Sequence, residues 1–136
     1  MQQKWFRGIL LLAVVYLVVG FGFAALGNSS ATIQMRDFWR LAAWVVSAVV
    51  YLAHIWYEHF RLRNSPRTTA LHTSSAAAIA SFGLAVAANI HAQFVSSSNP
   101  TMLALSLVLW PLLTIVPAFG VAFIFASGLA RWRKRS

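Results

Sequence analysis

The sequence predicts an all-α integral membrane protein, a single four-helix bundle over residues 1–136 with both termini in the cytoplasm. The chain is 60% hydrophobic and only 10% charged, with a mean hydropathy of +0.70. Soluble chains carry about 25% charged residues. This chain therefore has too few charged residues to cover the surface of a soluble domain of its size. The hydrophobic residues are also concentrated in long stretches with cations at their ends. The absence of cysteine excludes a disulfide scaffold.

Four apolar stretches are each long enough to cross a membrane once: Gly8–Leu26, Trp39–Phe60, Ala70–Phe94 and Met102–Ala130. A helix rises about 1.5 Å per residue and needs about 20 residues to cross a hydrocarbon core of about 30 Å. Backbone polar groups must be satisfied within lipid, so the stretches are predicted to be helices. Turn-forming residues separate them, at 27–30, 64–66 and 96–100.

Basic residues are divided unequally between the two ends of the predicted helices. Only Arg36 and Arg40 lie at one end, whereas nine lie at the end with both termini: Lys4, Arg7, Arg61, Arg63, Arg67, Arg131, Arg133, Lys134 and Arg135. The positive-inside rule therefore predicts cytoplasmic termini in a bacterial-type inner (plasma) membrane. The first apolar run is longer than the core of a signal peptide, so we expect its helix to be retained.

The formal net charge of +9 raises the alternative of a nucleic-acid-binding protein. The cations lie at or near the ends of apolar stretches, where they act as topology signals and contact anionic lipid. The predicted partners are therefore the lipid bilayer and other membrane subunits or a second copy of the chain, and not nucleic acid.

Polar side chains of the second apolar stretch recur every three or four residues, on one helix face: Arg40, Trp44, Ser47, Tyr51, His54, Glu58 and Arg61. A polar stripe is costly against lipid, so we expect it to face the bundle interior. We favour a seam of hydrogen bonds between helices. The alternative is a lining for a proton, an ion or a small solute.

Glu58 is the one acid within the four apolar stretches and follows His54 by one helical turn. Its position near the end of the stretch favours pairing with a nearby cation over a catalytic or proton-relay role. We expect His59, the next residue, to be solvated at the membrane interface.

His54 and His72 are predicted to lie at similar depths on neighbouring antiparallel helices, because a short loop joins the two stretches. Facing histidines are what the axial ligation of a b-type haem needs, and Tyr51 would lie beside them. Two ordinary buried histidines give the same pattern, so haem is an alternative that we do not favour. The sequence identifies no cofactor and predicts no metal site.

Small residues recur every four positions in the third stretch and form a predicted packing ridge: Ala77, Ser81, Ala85 and Asn89. Such residues let helix backbones approach closely. The ridge lies roughly opposite His72, which predicts a helix that packs on two sides, at the centre of the bundle or against a second copy.

These observations favour a small structural or accessory membrane protein, a homo-oligomer or a subunit of a larger complex, over an enzyme. The sequence contains no P-loop, no H-E-x-x-H motif and no nucleophile elbow. Two alternatives stay open. One is a redox module that binds haem or quinone through His54 and His72, and the other is a proton or small-solute transporter lined by the polar stripe of the second helix.

Overall fold

The computed structural model describes residues 2–94 and 99–133, and these form four α-helices. Their bounds are α1 Gln2–Asn28, α2 Ile33–Phe60, α3 Pro66–Ala92 and α4 Pro100–Arg133. By length and composition, each helix could cross a membrane. The predicted turn at 96–98 and the cations Lys134 and Arg135 lie outside the described residues.

Each helix begins before its apolar stretch, and in α2 and α3 a capping residue sets the start. The side chain of Thr32 accepts a hydrogen bond from the Met35 backbone and starts α2. Ser65 does the same for Thr68 at 3.2 Å, and Pro66 occupies the first turn of α3. Both are common ways to begin a helix. Hydropathy marks only the apolar part of each helix.

The four helices alternate in direction, which defines two ends of the molecule. The terminal end holds the start of α1, the end of α4 and the α2–α3 loop, and the distal end holds the α1–α2 connection, the end of α3 and the start of α4. Helix α3 contacts all three other helices and packs most extensively against α4. Helix α2 also contacts the other three, whereas α1 and α4 do not pack together within the described residues. The arrangement is a diamond with α2 and α3 across its short diagonal.

Small side chains fill the interior, and most large apolar side chains point outwards. One buried cluster joins α1 to α3 and the other joins α2, α3 and α4: Ile9, Ala13, Tyr16, Ala76 and Ala80, and Ile55, Ala70, Ala122 and Ala126. Trp44 and Ile124, in contrast, are 77% and 73% exposed. Soluble proteins bury their large apolar residues, whereas close packing of small residues is typical of helices in lipid.

Helices α1 and α3 cross at two reciprocal glycine–leucine contacts. A Cβ atom added to Gly83 would lie 2.9 Å from Leu17 Cδ2, and one added to Gly20 would lie 3.1 Å from Leu84 Cδ2. Each glycine thus leaves the space that a leucine of the other helix occupies. This contact fixes α1 against α3 at mid-height.

Candidate functional site

A polar cluster lies inside the terminal end of the molecule, between α2 and α3. We call His54, Glu58, Asn64 and His72 the Glu58 cluster. His72 Nδ1 lies 3.0 Å from Glu58 Oε2, and the Asn64 side-chain amide donates to the same oxygen. His54 Nε2 lies 3.7 Å from the other oxygen, Oε1, which is within ion-pair range but longer than a hydrogen bond. The Glu58 side chain is only 8% exposed.

The turn after α2 delivers Asn64 to this cluster. The backbone of Arg63 has a φ of 54°. This is the left-handed region, which residues other than glycine and asparagine seldom adopt. This conformation turns the chain back, so that the Asn64 backbone N–H donates to the Glu58 carbonyl at 3.2 Å. The Asn64 backbone and side chain therefore both bond to Glu58, and these contacts offset the unfavourable conformation of Arg63.

His54 is the most enclosed member of the cluster, with 3% exposure. Neither of its ring nitrogens makes a hydrogen bond within the described residues, and its nearest charged partner is Glu58. A neutral imidazole and a carboxylate can each accept a proton. Chemically, the cluster can hold a proton between a carboxylate and two imidazoles. Mechanically, it joins α2, the following turn and α3.

The carboxylate of Glu58 contacts both histidines that the sequence suggested as haem ligands. An imidazole bound to a metal lies about 2 Å from it. Glu58 faces His54 Nε2 and His72 Nδ1, so iron bound to both histidines at these two nitrogens would have to displace the carboxylate. Tyr51, the third suggested cofactor residue, donates its hydroxyl to the Ala118 carbonyl of α4 at 2.7 Å. Within residues 2–94 and 99–133, no three His, Asp or Glu side chains form a group that could hold a metal ion.

The polar stripe of α2 does not lie in one environment. The buried residues of α2 all lie at its terminal end, between His54 and His59. Arg40 and Arg61 are exposed, and Trp44 is 77% exposed, unlike the expectation of an interior stripe. Ser47 and Tyr51 are half-buried. Arg40 and Trp44 lie in the distal part of α2, where the helix has no buried residue, and Arg61 lies just past its terminal end.

His59 differs from the solvated histidine that the sequence suggested, since it is only 3% exposed. It lies one turn after Ile55, which is fully buried against Ala122 and Ala126 of α4. This face of α2 thus stays covered to the end of the helix. The His59 ring also meets Phe60 edge-on, with 5.2 Å between ring centroids.

The small-residue ridge of α3 ends at Asn89, which hydrogen-bonds to α4. We call such a side-chain hydrogen bond between helices a polar tie. The Asn89 side-chain amide donates to the Leu103 carbonyl at 2.9 Å and lies 3.1 Å from Ser106 Oγ. Ala85 is 3% exposed, whereas Ala77 and Ser81 are half-buried. Asn89 thus joins α3 to α4 at the distal end, as Tyr51 joins α2 to α4 nearer the centre.

Sequence reasoning missed Asn64 and Thr73 as partners of the site. Asn64 stands in an Asn-Ser-Pro turn, and this pattern indicates only a break between helices. The turn after Glu58 is short, and this was the available signal that Asn64 would lie against the end of α2. Thr73 Oγ1 lies 3.4 Å from the Tyr51 hydroxyl, a contact that depends on how α2 and α3 cross. A comparison of the chain with protein-family models, curated proteins and solved structures finds no match.

Proposed function

We propose that this chain is a structural or accessory protein of a bacterial-type inner membrane, with both termini in the cytoplasm, that works as a homo-oligomer or as a subunit of a membrane complex. One observation carries the proposal: interior polar side chains bond to other helices of the same chain. Glu58 with His72, Tyr51 with Ala118 and Asn89 with Leu103 are the three examples. Groups used in this way stabilise a scaffold and do not line an open path.

Two further observations support the membrane placement and its orientation. The interior side chains are mostly small and the large apolar side chains face outwards, as expected for helices in lipid. By sequence, nine basic residues flank the apolar stretches on the side of the two termini and two flank them on the other side, which suits cytoplasmic termini.

Reporter fusions test the orientation. A reporter placed after Ser30, in the α1–α2 connection, is expected outside the cytoplasm, and one placed after Ser136 is expected inside. Reporters on the same side would contradict the four-span topology. A protein that alkaline washing releases from membranes would contradict the membrane placement itself.

Single cysteines test the association, since the natural chain has none. On α4, Val116 and Ile124 are 70% and 73% exposed and lie on one outward face that also includes Gly120. If copies associate through this face, Ile124→Cys crosslinks into dimers in native membranes, whereas the buried Ala85→Cys does not. If the partner is another subunit, Ile124→Cys crosslinks to a protein of different mass. Monomers alone, after crosslinking at Ile124 and at Val18 and Val49 on α1 and α2, would contradict the proposal.

A second candidate, proton transfer through the Glu58 cluster, is favoured by the buried and unbonded imidazole of His54 beside a carboxylate. Intramembrane ionisable groups commonly mark proton paths. Purified protein in liposomes with a trapped pH-sensitive dye tests it. Proton flux that Glu58→Gln abolishes and Asp37→Asn preserves would establish this candidate, and flux equal to that of empty liposomes would dismiss it.

A further inference from the structure

The distal end of the molecule contains a cleft that none of the polar ties described above uses. It lies between α1 and α2, is open on one side and has a volume of about 310 Å³. Helix α1 forms one wall from the small residues Gly20, Ala24 and Gly27. Helix α2 contributes Arg36 and Arg40, so we call this site the arginine cleft.

The charge of the arginine cleft favours an anion. Of the described residues, Arg36 and Arg40 are the only Lys or Arg at the distal end of the molecule, and both line the same cleft. Asp37 lies 3.6 Å from Arg40 in an exposed contact, and no ion pair of Arg36 is found among the described residues. The aliphatic part of the Arg36 side chain packs against the Gly27 backbone, where an added Cβ would lie 3.8 Å from Arg36 Cγ. Two guanidinium groups at one opening suit a phosphate.

The remaining lining suits an amphipathic molecule. Trp39 packs against Phe23 across the cleft, with 6.1 Å between ring centroids, and Trp44 is 77% exposed. Tryptophans are enriched at the level of lipid headgroups. The α1 side of the cleft runs from this level through Ala24 to Gly20, towards the middle of the helix.

We propose that the arginine cleft binds one anionic phospholipid, with its phosphate between Arg36 and Arg40 and an acyl chain along Gly20 and Ala24. This inference rests on the proposed membrane placement. Charge complementarity and the apolar lining select the ligand, since a soluble anion would use the arginines but not the apolar wall. Asp37 competes with the phosphate for Arg40 and therefore weakens binding.

Native mass spectrometry of the full chain in mild detergent tests the site, with phosphatidylglycerol, phosphatidylcholine and inorganic phosphate as probes. Wild-type protein is expected to retain phosphatidylglycerol in preference to phosphatidylcholine. Each arginine replaced by glutamine, at Arg36 or Arg40, should weaken retention about fivefold. Asp37→Asn should strengthen it. The control pair Arg61→Gln and Arg67→Gln, at the terminal end, should leave this preference in place.

A second pair of variants tests the apolar wall without changing charge. Ala24→Leu should fill the cleft and reduce retention of phosphatidylglycerol. Gly22→Leu on the same helix, where an added Cβ meets nothing within 4 Å, should not. Equal retention by wild type and the Arg36/Arg40 double variant would overturn the proposal. Displacement of the lipid by millimolar inorganic phosphate would also overturn it, because the site would then be selective for small anions.

Failure of this inference can be told apart from failure of the membrane placement. Membrane placement is judged independently, by resistance to alkaline extraction and by the reporter after Ser30. A protein that passes both tests and shows no arginine-dependent lipid preference would contradict the lipid site alone. Unchanged chromatographic profiles of the variants would show that a loss of lipid is not a loss of fold.

Discussion

The two ends of α2 carry polar residues on the same helical face but lie in opposite environments. At the terminal end, Glu58 is enclosed and bonded to His72 and Asn64. At the distal end, Arg40 makes an exposed contact with Asp37, at 3.6 Å, and borders an open cleft. Helix periodicity decides which residues share a face, whereas the neighbouring helices decide whether that face is buried.

The difference has an energetic consequence. A buried charged or polar group loses its hydration, and hydrogen bonds to its partners must compensate for that loss. Removal of one partner therefore lowers the free energy of unfolding substantially. An exposed ion pair competes with water and contributes little. Substitutions at the terminal end of α2 should therefore reduce the free energy of unfolding far more than similar substitutions at the distal end.

The largest effect is expected for Glu58→Ala. It removes the acceptor for His72 and Asn64 and leaves His54 without its charged neighbour, so the free energy of unfolding should fall by about 3 kcal/mol. The matched substitution Asp37→Ala, at an exposed acid of the same helix, should cost less than about 0.5 kcal/mol. Unfolding by a denaturing detergent, followed by helical circular dichroism, measures both. Equal losses would remove the contrast between the two ends.

A smaller loss is expected where α1 crosses α3. Gly83→Val places a branched side chain where Leu17 now lies, and such overpacking should cost about 2 kcal/mol. Gly22→Val is the control, since nothing lies within 4 Å of an added Cβ there. The same detergent titration should separate the two variants. If Gly83→Val were as stable as Gly22→Val, the crossing would not be as close as the structure describes.

The polar tie of Asn89, at the distal end of α3, should contribute less to the free energy of unfolding than the contact between α1 and α3. Asn89→Ala removes the bonds to Leu103 and Ser106 and should reduce the free energy of unfolding by about 1 kcal/mol. Thr114→Ala provides the comparison, because its hydroxyl bonds only within its own helix, to the Trp110 carbonyl at 2.7 Å. An Asn89→Ala variant as stable as Thr114→Ala would indicate that this tie contributes nothing.

The smallest effect has the opposite sign. Arg63 adopts a left-handed conformation that asparagine tolerates better. Arg63→Asn should therefore stabilise the protein by about 0.5 kcal/mol. Arg67→Asn, which removes a nearby charge at an ordinary helical position, controls for the lost cation. Destabilisation by Arg63→Asn would mean that the Arg63 side chain contributes more than its backbone costs.

The number of helices and the turn near Asn64 followed from hydropathy and from Gly, Pro and Asn positions, because these depend on local sequence. The Glu58–His54 spacing likewise suggested their proximity. The exposure of Trp44, the burial of His59 and the fit of Gly83 against Leu17 did not follow from the sequence. These features depend on how far neighbouring helices extend and where they cross, which no single helix encodes.

The coupling between Glu58 and His72 tests the central claim, that interior polar groups of this chain hold its helices together. A double-mutant cycle with Glu58→Gln and His72→Gln measures it from four free energies of unfolding. We predict a coupling energy of about 1 to 2 kcal/mol, near the upper end for side-chain bonds between membrane helices. The same cycle at Asp37 and Arg40 should give less than about 0.5 kcal/mol. Coupling of Glu58 to His72 no larger than that of the exposed pair would contradict the account.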